Sequence, residues 1–455
     1  MSDNNGSGRF TDGRVPDPGL RAIYSPRNRW QKCLDVEAAL ALSQARLGLI
    51  PPEAAQAIAA AAHIEHLDMM AIEQGIIRES HPLTPLVSAL GKAAGDAGEW
   101  AHWGATTQNI TQTADVLLLR EAHHRILTLL QEVITAAIKL AARTANITMA
   151  GRTHGQHAVP ITFGYKVAVW LDQLTRHVER LNQVEPRVLT AMAGGAVGTF
   201  ASTGKTGPAV QAELAKELGL ASMPVASRAI NDSFAEYVTI LGLLAGTSSQ
   251  IAREIYTLMK PEYGEAFEPI PEGTVGSSTM PHKRNPQLSQ DILSISAQIR
   301  ALVPLALEAM LQDHEVSGSA TDMMDHALHQ SILLTGDLLV RVETTLRGLE
   351  IDQDRMARNL ELSSGLIESE RIMMSLAETL GRQKAHDIVY RAAQRAATTS
   401  ITFEEALSTD PDVLTVFNRD QIQAQLVTRR TGVDEHLVET VIARANRVLP
   451  GVHAA

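Results

Sequence analysis

The chain has a single cysteine, Cys33, in 455 residues. That excludes an intrachain disulfide and a cysteine-ligated metal cluster. Cys33 sits in the helical pattern RWQKCLDVEAAL and reads as a small buried apolar side chain. No run of 18 uncharged apolar residues exists, and no apolar leader opens the chain. The expectation is a soluble, cytoplasmic protein with no membrane partner. Positive charge is also short: the net charge is −11, which argues against nucleic acid and anionic membranes as partners. An acidic protein that binds small anions must gather its cations locally. Period-2 strand runs, internal repeats and low-complexity tracts are missing as well. The fold class is expected to be all-α.

What is present is helix. Residues 1–19 are rich in Asn, Asp and Gly and are expected to form a mobile arm. Helical patterning begins near Arg27, with Trp30, Leu34, Ala38 and Ala41 on one stripe, and Pro51–Pro52 opens another helix. Three later stretches lack Gly and Pro: Ala114–Met149, Tyr165–Glu185 and Gln287–Val303. The first, 36 residues, would make a helix ~54 Å long at ~1.5 Å per residue. Its apolar residues cover more than one face, which calls for several neighbouring helices, and no heptad persists. Past Gly348 the helices shorten. The expected division is residues 20–110, an N-terminal helical region; 111–347, a central long-helix bundle; and 348–455, a C-terminal helical region.

The stretch Glu272–Asp291, EGTVGSSTMPHKRNPQLSQD, carries the chemistry. A glycine- and serine-rich loop presents Ser277 and Ser278, and Lys283 and Arg284 add two cations. Asn285 then reads as an N-cap with Pro286 at the first helical position. A helix start with its unpaired N–H groups suits a carboxylate or phosphate. The combination reads as an anion-binding lid with a reactive group. GATTQNITQTA (Gly104–Ala114) crowds Thr106, Thr107, Gln108 and Asn109 with further hydroxyls, where capping by Thr111 or Thr113 needs only one residue. GRTHGQHAVPITFGYK (Gly151–Lys166) places Thr153 and His154 between two long helices. His154 and His157 lack a third ligand at metal spacing, and His326 and His329 read as surface or core residues.

The string GSSTMPHKRNP resembles the signature GSSxMPxKxNP of the fumarase/aspartase superfamily, with the HKR variant of its adenylosuccinate lyase and carboxymuconate cycloisomerase branch. Three other blocks resemble the family in the same order: GATTQN, where that branch often has Asp at Asn109's place; GRTHGQHAVPITFGYK; and GGAVGTFAS (Gly194–Ser202), whose glycines permit close backbone approach. His81 in ESHPLTPLV matches a further family histidine. Ser227–Tyr237, SRAINDSFAEY, departs from the pattern RDRxAE, so an arginine that relatives hold near the substrate is missing around Ser233.

The resemblance implies a bundle of long helices with a tetrameric core, three helical regions, and active sites each assembled from three subunits. It implies proton removal next to a carboxylate and expulsion of a group from the adjacent carbon. Ser277 is then the base, with His154 and His81 beside it in proton transfer. Thr106, Thr107, Gln108, Asn109, Thr153, Ser278, Met280, Lys283 and Asn285 bind the substrate, and Lys166 stands near. Neither metal nor organic cofactor is implied. The expected substrate is a small succinyl-type di- or polycarboxylate, cleaved to fumarate and an amine or epimerised as iminodisuccinate is. A 3-carboxy-cis,cis-muconate cycloisomerase is the alternative. Some superfamily members are catalytically silent structural proteins, but intact Ser277, His154 and Lys283 argue against that here.

Overall fold

The computed structural model describes residues 12–270, 279–280, 282–427 and 431–449. Five long helices carry the main core: α1 (Thr107–Arg143), α2 (Phe163–Val188), α3 (Asp232–Leu258), α4 (Gln287–Glu308) and α5 (Gly318–Gly348). Helix α1 has neither Gly nor Pro, and its buried residues fall on more than one face. It therefore packs against α2, α5 and the helix Pro26–Arg46 at once. Ile126, Leu130 and Val133 of α1 meet a shared core with Leu171 and Leu174 of α2, Leu241 of α3, Ile299 of α4 and Leu338 of α5. Each such side chain contributes about 1.5–3 kcal/mol by leaving water. Among the described residues no helix is long and apolar enough to cross a membrane.

The all-helical architecture is as expected, with two differences of detail. Helix α1 starts at Thr107, because the whole run TQNITQT is helical, and it stops at Arg143. Residues after it form a hairpin, β1 (Thr148–Thr153) against β2 (Gln156–Thr162), antiparallel. Two further pairings, Thr190–Ala191 with Ala221–Ser222 and Ala266–Phe267 with Glu350–Ile351, are two residues long. The hairpin escaped a period-2 reading because Gly151 and Pro160 interrupt it and a register irregularity separates Ala150 from Arg152.

Two smaller cores flank the bundle. Leu34, Leu40, Ile58, Ile72, Leu86 and Leu90 form one among the N-terminal helices, where Cys33 is buried and its thiol is pushed up to about 12, chiefly by desolvation. Ile372, Leu376, Ile388, Phe403 and Leu407 form the other in the C-terminal region. The last helix, Asp434–Val448, returns to the bundle along α2, with Val438 and Ala445 in the main core. Arg444 pairs with Asp172 at 2.6 Å and Glu179 at 2.9 Å. Residues 12–19 also lie on the bundle: Arg14 donates to Asp291 at 2.9 Å, and Arg125 donates to the Pro18 carbonyl at 2.8 Å.

The helices run so that the bundle has two distinct ends. The starts of α1, α3 and α5 share one end, where Gln108, Thr111, Asn231, Phe234 and Thr321 line a common cavity. The finish of α4 is there too, since Asn231 donates to the Ala309 carbonyl at 3.4 Å. At the other end Arg143, closing α1, bonds the Leu349 carbonyl just past α5. The β1–β2 hairpin and the start of α4 belong to this second end.

Candidate active site

The first end holds the threonine-rich turn. Thr106 lies just before α1 in extended conformation, and its N–H donates to Asn109 Oδ1 at 3.1 Å. The same oxygen accepts the Gly195 N–H at 3.1 Å, so a side chain 1% exposed ties the helix start to the glycine-rich turn. Asn109 Nδ2 is buried without a hydrogen-bond partner among the described residues. An unmet donor of this kind costs about 1–3 kcal/mol. Thr113, considered as a cap, instead exchanges hydrogen bonds with the Met192 backbone at 3.2 Å. The glycines of the turn allow close approach, because a Cβ on Gly194 or Gly198 would fall 2.6 or 2.5 Å from the Ala226 carbonyl oxygen.

His81 faces this turn. Its Nδ1 accepts the Thr84 N–H at 2.9 Å and the Leu83 N–H at 3.3 Å, and lies 2.8 Å from the Thr84 hydroxyl. Two backbone donors at Nδ1 place the ring proton on Nε2. Nε2 lies 3.3 Å from Thr107 Oγ1, so an N–H donor is aimed at the threonine pair.

Arg228 completes the cluster, and it is the residue the sequence alone missed. Its Nε donates to Gln108 Oε1 at 2.6 Å and its Nη1 to the Ala196 carbonyl at 2.9 Å. Partial burial lowers its pKa from the ordinary arginine value. The pattern RDRxAE sets arginine at 231 and 233, where this chain holds Asn and Ser, and nothing local to Arg228 marks it as part of the cluster.

The second end carries His154. It sits with Gly155 in a two-residue turn, at φ +52° and +77°, between the paired Thr153 and Gln156. Positive φ at both positions marks a type I′ turn, whose twist matches the strands. Thr153 and His154 are both exposed at this tip. The base of the hairpin is fixed by a fork: Arg152 donates to Glu265 at 2.9 and 2.6 Å, and Asn359 adds a bond to Glu265 at 2.7 Å. Glu265 is fully buried, so removing Arg152 alone would cost about 3–5 kcal/mol. His157, behind the tip, is shifted below its ordinary value by desolvation and then by Arg152. Lys166 is committed to Glu254 at 2.7 Å.

The start of α4 differs from expectation. The helix begins at Gln287 with Pro286 as its cap residue, one position later than Asn285 would set it. Pro286 has no side-chain acceptor, and the cap comes from elsewhere. Glu268 accepts the Leu288 N–H at 2.8 Å, the Ser289 N–H at 3.0 Å and the Ser289 hydroxyl at 2.9 Å. The helix N-terminus expected to bind substrate therefore already holds an internal carboxylate. Lys283 is exposed, Arg284 lies over the Phe267 ring at 5.3 Å, and Met280 is 43% exposed. Ser277 and Ser278 lie outside the described residues. His329 is a core residue beside Tyr24, ring centroids 4.8 Å apart, and burial pushes it down to about 4.

The two clusters do not meet within one chain. Thr107 opens α1 and Arg143 closes it, 37 residues in all, so the two stand about 54 Å apart at ~1.5 Å per residue. A six-residue strand spans about 20 Å, so even a hairpin folded straight back would leave His154 far from Thr107.

A helical bundle with polar clusters at opposite ends, read with the four sequence blocks, defines a class that comparison with known proteins confirms. The lyase family matches residues 8–301, and the adenylosuccinate lyase C-terminal family matches residues 365–430. The chain belongs to the fumarase/aspartase superfamily and is a lyase or isomerase of that group. It is similar to N-acetyl-S-(2-succino)cysteine lyase of Enterococcus italicus, at 38% identity over 93% of each chain. It is also similar to 3-carboxy-cis,cis-muconate cycloisomerase of Pseudomonas aeruginosa, at 40% identity over 83% of each. The crystal structure of a fumarate lyase from Mesorhizobium sp. BNC1 superposes with a TM-score of 0.87 at 36% identity, covering 94% of this chain and 98% of that one.

Proposed function

We propose that the protein catalyses reversible elimination next to a carboxylate of a small succinyl-type polycarboxylate, releasing fumarate, in a homotetramer with shared sites. The observation that supports the shared site is the separation of the two clusters along α1. Each is incomplete, and only a second copy can bring Thr107 and His81 to the His154 and Lys283 of the first. The expected excess of apolar surface is not part of this support, since among the described residues α1 leaves no large apolar side chain exposed and α2 leaves only Val169. We assign the division into residues 20–110, 111–347 and 348–455 on the three separate cores, with the helix Asp434–Val448 returning from the third region to the bundle.

The chemistry follows from the groups available. Ser277 takes a proton from the carbon beside one carboxylate. The C–H electron pair becomes the C=C bond of fumarate, the bond to the leaving nitrogen or sulfur breaks toward that atom, and a proton is returned to it. The carbanionic intermediate needs fixed donors. Thr106, Thr107 and the His81 Nε2–H serve from one end, with Lys283 and Asn285 from the other. His154 on its rigid turn positions the leaving group or protonates it. Running the step in both directions with loose stereochemistry gives epimerisation of the iminodisuccinate type.

Cycloisomerisation of a carboxymuconate is the second reading, favoured by the 40% identity to the Pseudomonas aeruginosa enzyme. Incubation with succinyl amines, succinyl thioethers and 3-carboxymuconate, followed at the fumarate and muconate absorbances, decides between them. Fumarate from a succinyl compound supports elimination; loss of muconate absorbance alone overturns it.

A further inference from the structure

The pattern RDRxAE places arginines where this chain has Asn231 and Ser233. Asn231 is buried and turned toward the end of α4, donating to the Ala309 carbonyl at 3.4 Å. A cation without a carboxylate partner among the described residues stands instead at Arg228, on the approach to α3. Its guanidinium is held on two sides by Gln108 Oε1 and the Ala196 carbonyl, through Nε and Nη1. Nη2 makes no hydrogen bond among the described residues, and no carboxylate pairs with Arg228 there. Half-buried arginine without a counter-ion is a poor structural element, since desolvation disfavours its charge and only two neutral acceptors offset the cost. It is a good anion receptor, because a fixed fork binds carboxylate with little further ordering. Next in sequence to the Gln108 that anchors the guanidinium, Asn109 has its Nδ2 donor buried and without a partner among the described residues. Asn109 and Arg228 both grip the same short turn, one through the Gly195 N–H and the other through the Ala196 carbonyl.

We propose that Arg228, oriented by Gln108, is a specificity-determining residue that holds a third substrate carboxylate, beyond the two that flank the reacting carbons. This rests on the elimination reading above. The third carboxylate belongs to the leaving group of a succinyl adduct or to the carbon chain of a tricarboxylate. The shift from 231 or 233 to 228 moves the receptor along the backbone and so changes where that group must lie.

Binding and turnover test this separately. Calorimetry compares tricarballylate with succinate on the wild type, Arg228→Gln and Arg228→Lys. The wild type is expected to favour tricarballylate by at least about 10-fold. Arg228→Gln removes that preference, and Arg228→Lys, which keeps charge but loses the fork, retains part of it. In turnover, the KM for an S-succinyl cysteine derivative rises about 10–100-fold in Arg228→Gln with kcat within about 3-fold, while an S-succinyl alkylthiol without the third carboxylate is unaffected. A tricarboxylate preference that survives Arg228→Gln overturns the proposal. Arg228-dependent tricarballylate binding without fumarate from either thioether supports the carboxylate site and overturns the elimination reading. An S-succinyl cysteine derivative preferred over 3-carboxymuconate assigns the carboxylate to the leaving group; the reverse assigns it to the carbon chain.

Discussion

Glu268 and Ser289 are joined twice, through the serine N–H at 3.0 Å and its hydroxyl at 2.9 Å, and this pair closes the N-terminus of α4 from the preceding loop. Glu268 is 2% exposed, and burial raises its pKa above the usual carboxylate value although three hydrogen bonds oppose the shift. The cap fixes the start of the helix that follows Lys283.

Glu268→Ala is therefore expected to destabilise the fold by about 2–4 kcal/mol, since it leaves the Leu288 and Ser289 donors buried without partners. Sulfate at tens of millimolar should recover part of the loss, because a vacated helix N-terminus binds anions. Denaturant unfolding with and without sulfate checks both. Unchanged stability in Glu268→Ala would show that the cap is not needed.

Ser277→Ala should leave substrate binding nearly intact and lower turnover by roughly 10²–10⁴-fold, the usual worth of a positioned base. Ser278→Ala should cost much less. Exchange of the substrate's hydrogen with deuterated solvent should vanish with Ser277 and persist, slowed, in His154→Asn. Near-normal exchange in Ser277→Ala would move the base elsewhere, with His154 the first place to look.

The separation along α1 makes a prediction about mixed assemblies. His154→Asn and Thr107→Val each inactivate the cluster at one end. Co-refolded in equal amounts, they should recover about a quarter of wild-type activity, the product of two even chances in a symmetric oligomer. Activity no higher than that of the separate variants would mean that both clusters serve within one chain.

His177 is pushed down to about 4 by burial and then by the charges of Arg180 and Arg176. Its neutral ring lies 2.8 Å from the Thr247 hydroxyl, and Nδ1 accepts from Arg180 at 3.3 Å. The unfolded chain binds this proton more readily than the folded one. The contribution to stability is thus complete above pH 6.5 and is lost as pH falls toward 4. At pH 5 the loss amounts to about 2 kcal/mol. The stability gap between wild type and His177→Gln should narrow by that amount from pH 7 to pH 5. Asp325, pushed up to about 7 by desolvation and then by Asp115, titrates with the opposite sign and remains in both proteins. A gap independent of pH would show that His177 is not held neutral.

Much of this was legible in the residues themselves. Long stretches free of Gly and Pro marked the bundle, and the blocks around Thr106, His154 and Lys283 marked the family. What escaped were relations between distant positions. Nothing local to Pro286 says that its helix is capped by a carboxylate eighteen residues upstream, so the N-terminus read as open. GRTHGQ read as a loop because its strand pattern is short, although His154-Gly155 suits a tight hairpin turn. Arg228 is not legible locally because its place depends on Gln108 and Ala196, which lie far off in sequence and adjacent only in space.

Helix α1 bears a cluster at each end, and that makes it a mechanical link as well as a spacer. An axial slide of a rigid helix displaces its two ends equally, so a movement that tightens Thr107 on one substrate shifts the mounting of the hairpin at the other end. In an assembly where those ends serve different sites, the sites are geared to one another by the rod they share.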